Sequence, residues 1–273
     1  MILKNKILLF VISILMLSSC VNLPIYKPQK ITTKEEISDI RYYDKEGKIL
    51  YDVYDDEKNI YVNIKTSDYT SQVKILKMGL TVWFDQKSKK NKDKGIVFPI
   101  KQGLKQNKQR NNLDNSNRLN NEEQKIQQLH NQFNLSVKRI NLIGMNGDNS
   151  QKFFNSELEK SDIIAKITFD TLNRLDYLAV IPKSKIFTND KYMDNKFSIG
   201  IESGFLDINE MRQGKPEGGG RSGGSGRPGG GRSGGGGGRP GGGKPDRAQG
   251  GNQQQFSALS EPIKVWFTIN LIN

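Results

Sequence analysis

The sequence predicts an all-β protein: a single antiparallel β-sandwich with one short helix and a long Gly-rich loop, expected to be disordered, before the last strand. Three observations predict it. Short runs of β-branched and aromatic residues, separated by polar turns, recur from residue 48 to residue 205. One stretch alone has helical spacing. The chain also ends on Pro262-Ile263-Lys264-Val265-Trp266-Phe267-Thr268-Ile269-Asn270, where Ile263, Val265, Phe267 and Ile269 share one face and need a sheet to join. That final strand makes the glycine tract ahead of it a loop within one domain.

The first element is an address. Lys4 and Lys6 precede the apolar run Ile7 to Leu17, which is too short to span a bilayer. Leu17-Ser18-Ser19-Cys20 follows, with small residues that would admit a peptidase. This resembles a bacterial lipobox, in which the cysteine is acylated and becomes the new N-terminus. Two or three acyl chains at ~0.8 kcal/mol per buried methylene anchor a protein durably. Residues 1–19 are therefore expected to be a lipoprotein signal peptide, Cys20 the lipidation site, and 20–35 a tether bearing Pro24 and Pro28. The expected location is the cell envelope, at the outer membrane and facing the periplasm.

The sandwich is expected over 36–212 plus 253–273. Lys48 to Tyr54 and Asn59 to Ile64 flank the polar turn Asp55-Asp56-Glu57-Lys58 as a hairpin, with Ile60, Val62 and Ile64 on one face. Gly79 to Asp85 and Gly95 to Pro99 are the next strands, the second ended by proline. Residues 101–122 are rich in Asn, Gln and Lys and read as an extended loop or a disordered insertion. Glu122 to Phe133 is the helix, with Ile126, Leu129 and Phe133 at i, i+3 and i+7. Strands resume at Leu135–Ile143, and a second hairpin joins Ile163–Phe169 to Leu175–Pro182. Phe197 to Glu202 alternates again, giving about nine strands with the last one. Residues 213–252 hold 20 of the 28 glycines, a density that cannot repay its ordering entropy; without glycine at every third position the tract is not collagen-like.

Composition excludes several chemistries. Cys20 is the only cysteine, so the mature chain has no disulfide, no thiol nucleophile and no thiolate metal site. His130 is the only histidine and reads as a solvated polar residue, without the partner that zinc or a nucleophile would need. The net charge of +13 resides in two segments: residues 86–110 carry +8 and residues 213–252 carry +5. The folded part is therefore neutral in aggregate, and the basic character belongs to appendages suited to anionic headgroups or acidic glycans. Lys87, Lys89, Lys90, Lys92 and Lys94 are the candidate polyanion contact, with an ordinary solvated loop as the plain alternative. No nucleic-acid partner is expected, because the Arg/Gly tract lacks interleaved aromatics. The glycines also lack the Gly-Lys-Ser/Thr ending of a phosphate loop. Asp55-Asp56-Glu57 and Glu157/Glu159 are acidic clusters without EF-hand spacing. No cofactor or metal is expected.

Three segments carry a resemblance: Asn59-Ile60-Tyr61-Val62-Asn63-Ile64-Lys65-Thr66-Ser67-Asp68, Gly79-Leu80-Thr81-Val82-Trp83-Phe84-Asp85, and Leu175 to Pro182 followed by Phe197 to Glu202. Together they resemble the β-sandwich modules of the family 9 carbohydrate-binding type and their DOMON-like relatives, over roughly residues 48–205 plus the last strand. The chain as a whole looks like bacterial envelope lipoproteins. The resemblance implies sugar binding by aromatic stacking, with polar groups at the ring edge and in some members calcium. Strand alternation puts Trp83, Trp266 and Tyr61 each on the face opposite their aliphatic neighbours. These three, with Asp85 at the edge, are the candidate ligand platform. The plainer alternative is that both faces are covered, by the Glu122–Phe133 helix or a loop, and the indoles are packed core, because aromatic residues usually supply core area.

The expected function is a lipid-anchored envelope binding module without catalysis, with an envelope glycan as ligand. Its rivals are a structural or assembly factor whose partner is another envelope protein, and an enzyme using carboxylates placed by the fold.

Overall fold

The computed structural model describes residues 23–33, 36–37, 39–101, 118–136, 139–145, 151–154, 162–187, 196–207 and 257–271. Cys20, the 213–252 tract, Glu157 and Glu159 lie outside the described residues. In chain order the strands are β1 (Ile25–Tyr26), β2 (Gln29–Lys30), β3 (Tyr42–Asp44), β4 (Ile49–Asp55), β5 (Asn59–Thr66), β6 (Leu80–Asp85), β7 (Lys94–Val97), β8 (Arg139–Ile143), β9 (Gln151–Phe154), β10 (Ile164–Phe169), β11 (Leu175–Pro182), β12 (Lys196–Ser203) and β13 (Lys264–Asn270).

They form two sheets stacked as a sandwich. The first has the order β1-β13-β12-β6-β7-β8-β9; the second has the order β10-β11-β5-β4-β2, with β3 added on β4. Both expected hairpins form, β4 with β5 and β10 with β11. The pairing is antiparallel except at two edges, where β1 joins β13 and β2 joins β4 in parallel. These two short strands fall inside the segment expected to be a tether. Residues 25–30 instead contribute one strand to each sheet and so tie the sheets together.

The inner faces are the ones the alternation specifies. Leu80, Val82 and Phe84 of β6, Phe197, Ile199 and Ile201 of β12, and Val265, Phe267 and Ile269 of β13 are buried. So are Ile60, Val62 and Ile64 of β5 and Tyr177, Ala179 and Ile181 of β11. Tyr51 of β4 stacks on Phe267 of β13 with ring centroids 5.1 Å apart, which closes the gap between the sheets. One inner-face group is left over: the Tyr177 hydroxyl is buried without a hydrogen-bond partner, and burial holds its pKa well above the ordinary phenol value.

The chain changes sheets between β5 and β6. Asp68 starts a helical turn, Tyr69–Val73, by accepting the Ser71 N–H at 2.9 Å. The helix widens into a π turn over Lys74–Met78 that buries Ile75, Leu76 and Met78. Gly79 then turns the chain at φ +88°, where a Cβ would come within 2.7 Å of the Pro99 carbonyl oxygen.

The expected helix is present but longer, Arg118–Leu135. Its described buried residues are Leu129, His130 and Phe133, and Phe133 packs edge-on against Phe98 and Phe169. His130 is not solvated. Its ring stacks on Phe169 at 3.6 Å, and its Nε2 lies 2.7 Å from Gln72 Oε1. The residue occupies position i+4 from Ile126, on the apolar stripe, and burial lowers its pKa. The Leu206 N–H bonds the Leu259 carbonyl at 2.9 Å.

Candidate functional site

The proposed platform residues fall on two different surfaces. Tyr61 belongs to β5 and lies on the outer face of the second sheet. There Tyr54, Tyr61 and Val180 form a small apolar cluster, packed over by Ile31, Ile37, Ile164 and Leu178. The segment after β2 makes part of this cover. Tyr54 Oη donates to the Asp39 carbonyl, and Gln29 Nε2 donates to Asp52 at 2.8 Å. Arg41 grips the fully buried Asp52 with two bonds, Nε at 2.8 Å and Nη2 at 2.7 Å. Tyr61 is buried, and its hydroxyl is committed to Asp56. Burial and that bond push its pKa up to about 12. It cannot stack on a ligand and is not part of a platform with the tryptophans.

Trp83 and Trp266 do share a surface, the outer face of the first sheet. The register aligns Trp266 of β13 with Gly200 of β12, Gly200 with Trp83 of β6, and Trp83 with Gly95 of β7. The row thus reads Trp, Gly, Trp, Gly across four strands. Each indole lies down over the neighbouring glycine. A Cβ on Gly200 would come within 2.5 Å of Trp266 Cε2 and Cζ2, and one on Gly95 within 2.7 Å of Trp83 Cε3. Glycine in a strand is usually a weakness, and an aromatic ring laid across it restores the lost contact.

Glu202 fixes both rings from the same face, two residues along β12. Its Oε1 accepts the Trp266 Nε1–H and its Oε2 accepts the Trp83 Nε1–H, each at 3.1 Å. Lys92, from the β6–β7 loop, pairs with Oε2 at 2.5 Å and places its ammonium 5.7 Å from the Trp83 ring centroid. Burial disfavours the Glu202 charge. The bonds from Lys92 and the two indoles outweigh it and hold the carboxyl below the usual carboxylate range. Trp83 remains partly exposed, whereas Trp266 is 8% exposed.

Asp85 does not stand at a ligand edge. It is buried, and its carboxylate accepts the backbone N–H groups of Lys87 (2.9 Å), Lys89 (2.5 Å) and Asn91 (3.0 Å). It therefore shapes the loop that presents Lys92. The candidate polyanion lysines divide accordingly. Lys87, Lys89, Lys90 and Lys92 are exposed on that loop. Lys94 points inward, donating to the carbonyls of Lys185 (3.0 Å) and Ile186 (2.7 Å), and burial lowers its pKa. Strand alternation would have separated it, since Lys94 pairs with the inward-facing Phe84.

Two carboxylates of the acidic turn Asp55-Asp56-Glu57 are engaged internally. Asp55 is fully buried between Lys30 (2.7 Å) and Lys183 (2.5 Å), while Asp56 accepts the N–H groups of Lys58 and Asn59. Among the described residues no cluster of three or more His, Asp or Glu is arranged to hold a metal ion. A cavity of about 860 Å³ opens beside this turn, where Glu57 and Asp162 balance Lys58 and Lys183 around Ile164 and Val180.

Sequence reading missed Glu202 and assigned Lys92 a different role. Gly200 and Glu202 carry the signal that could have found them: both alternate with the inward Ile199 and Ile201, so they share a face with whatever lies opposite. Only the register then reveals that two tryptophans lie opposite. In comparison with known proteins, the chain matches no family model, no curated protein and no solved structure.

Proposed function

We propose that this chain is a lipid-anchored envelope module that binds saccharide on the outer face of its first sheet, without catalysis. The observation that carries the reading is the Trp266-Gly200-Trp83-Gly95 row with both indole N–H groups held by one carboxylate. Rings laid flat and clamped at their edges lose little freedom on binding, so stacking a pyranose on Trp83 costs little ordering entropy. Lys92, Glu202 and Thr81 are the neighbouring polar groups available to ring hydroxyls. The two-sheet fold fits the resemblance to family 9 carbohydrate-binding and DOMON-like modules, and acylation of Cys20 would hold the module at the outer membrane. Lys87, Lys89 and Lys90 would add a salt-sensitive contact to acidic polymers.

The test is a binding screen of soluble residues 21–273 against envelope polysaccharides, beside Trp83→Ala and the Trp83→Ala/Trp266→Ala double variant. Salt-resistant binding that is lost in folded variants supports the reading. Binding that vanishes with salt and ignores the tryptophans moves function to the loop lysines. A second reading, a docking module for another envelope protein, is favoured by the deep burial of Trp266. It predicts no saccharide binding and a defined crosslinked partner in intact envelopes.

A further inference from the structure

The platform carries its own cation. Lys92 Nζ sits between the Glu202 carboxylate, 2.5 Å away, and the Trp83 ring, 5.7 Å from its centroid. An ammonium between a carboxylate and an indole face is how proteins recognise cationic ligands. Here that ammonium is the least firmly held member of the cluster. Its side chain is 49% exposed on a surface loop, against 14% for Glu202. The indoles, by contrast, are fixed by glycines of the sheet itself. If Lys92 swings into solvent, the rings and carboxylate keep their places, and the site retains a largely desolvated negative charge with an aromatic wall.

We propose that this is a site for a ligand ammonium group, with Lys92 as an internal stand-in that a substrate amine displaces. The ligand class is then an amino sugar bearing a free amine, or an oligomer of one. The sugar ring would stack on Trp83 while its ammonium takes the position of Lys92 against Glu202. The inference rests on the saccharide reading above and narrows it. The neighbouring charges act in opposite senses: Lys264, cross-strand partner of Glu202, would repel a second amine, whereas Asp93 follows Lys92 on the exposed loop. The site therefore suits one ammonium.

Displacing an exposed ion pair and one cation–π contact costs the ligand about tenfold in affinity, so removing Lys92 should return that factor. The experiment titrates a glucosamine trimer and an N-acetylglucosamine trimer by calorimetry, at about pH 6 where the free amines are protonated. It uses soluble wild type, Lys92→Ala, and Lys92→Ala/Glu202→Gln, a pair in which the glutamine oxygen still accepts an indole N–H. The expected result is a preference of about tenfold or more for the glucosamine trimer in Lys92→Ala, weaker in wild type and abolished in the double variant. Equal affinities for the two trimers in Lys92→Ala would overturn the ammonium site while leaving the saccharide reading intact. Binding of neither trimer, with no polysaccharide retained in the wider screen, would overturn both.

Discussion

The two outer faces of this sandwich are built from the same ingredients and put to different ends. Each carries aromatic side chains beside an acid–base pair. On the second sheet, the segment between β2 and β4 lies over Tyr54 and Tyr61, and Arg41 closes on a fully buried Asp52. On the first sheet, Trp83 and Trp266 lie over glycines, and the base that meets Glu202 is a half-exposed lysine on a loop. The first arrangement is a second small core. The other leaves a partly exposed indole and a carboxylate beneath one half-exposed side chain. The same residue types therefore form a closed packing where the chain's own backbone covers them, and leave an accessible surface where a single side chain does.

The comparison is broken most severely at Gly200. If the indole row depends on glycine, Gly200→Val should destabilise the protein by about 3 kcal/mol by driving Trp266 off the sheet. Urea unfolding, with the tryptophan emission red-shifted in the folded state, reads both effects. A change within about 0.5 kcal/mol would mean that the rings do not lie where the register puts them.

Next in size is the cover of the other face. Arg41→Ala leaves the buried Asp52 charge with Gln29 and backbone donors only, and should cost about 2 kcal/mol. Limited proteolysis should then cut within the segment spanning residues 31–41 while the tryptophan emission stays unchanged. Lys92→Met is the matching lesion on the first sheet. Its expected cost is below about 1 kcal/mol, because an exposed ion pair contributes little. That difference is the comparison expressed in stability.

The legibility of the molecule divides along the same line. Strand alternation alone defines the inner faces: Ile60, Val62, Ile64 and Leu80, Val82, Phe84 are all buried as their period requires. It also puts Trp83, Trp266 and Tyr61 on outer faces. What it cannot encode is which sheet a strand joins, because that depends on pairings between residues far apart in sequence. Tyr61 and Trp83 are separated by a single crossover that moves the chain from one sheet to the other. Glu202 pairs across strands with Thr81 and Lys264, partners more than 60 positions away in the chain. His130 was readable locally, at i+4 from Ile126. A lone histidine suggests chemistry by its scarcity, whereas its place on the apolar stripe indicates packing.

Two smaller effects sharpen the account of the interior. Tyr177→Phe removes a buried hydroxyl without a partner and should stabilise the protein by about 1 kcal/mol, measured by urea denaturation. Destabilisation would reveal a partner for that hydroxyl. The pH dependence follows from His130. Burial lowers its pKa in the folded state, so the unfolded chain binds the proton more readily and stability is greatest above the unfolded value of about 6.5. Stability should fall as pH drops below about 6.5 toward the folded pKa, and His130→Gln should flatten that decline. The further loss caused by Glu202, whose pKa is also depressed, belongs to a separate window below about pH 4.5.

The most direct measurement of the central claim is hydroxyl-radical footprinting of tryptophan and tyrosine side chains, with and without a saccharide retained in the binding screen. The account predicts that Trp83 is oxidised in the free protein and protected by saccharide, while Tyr54 and Tyr61 are unreactive in both. Protection at Tyr54 or Tyr61, or a Trp83 whose oxidation ignores a saccharide that binds, would contradict it.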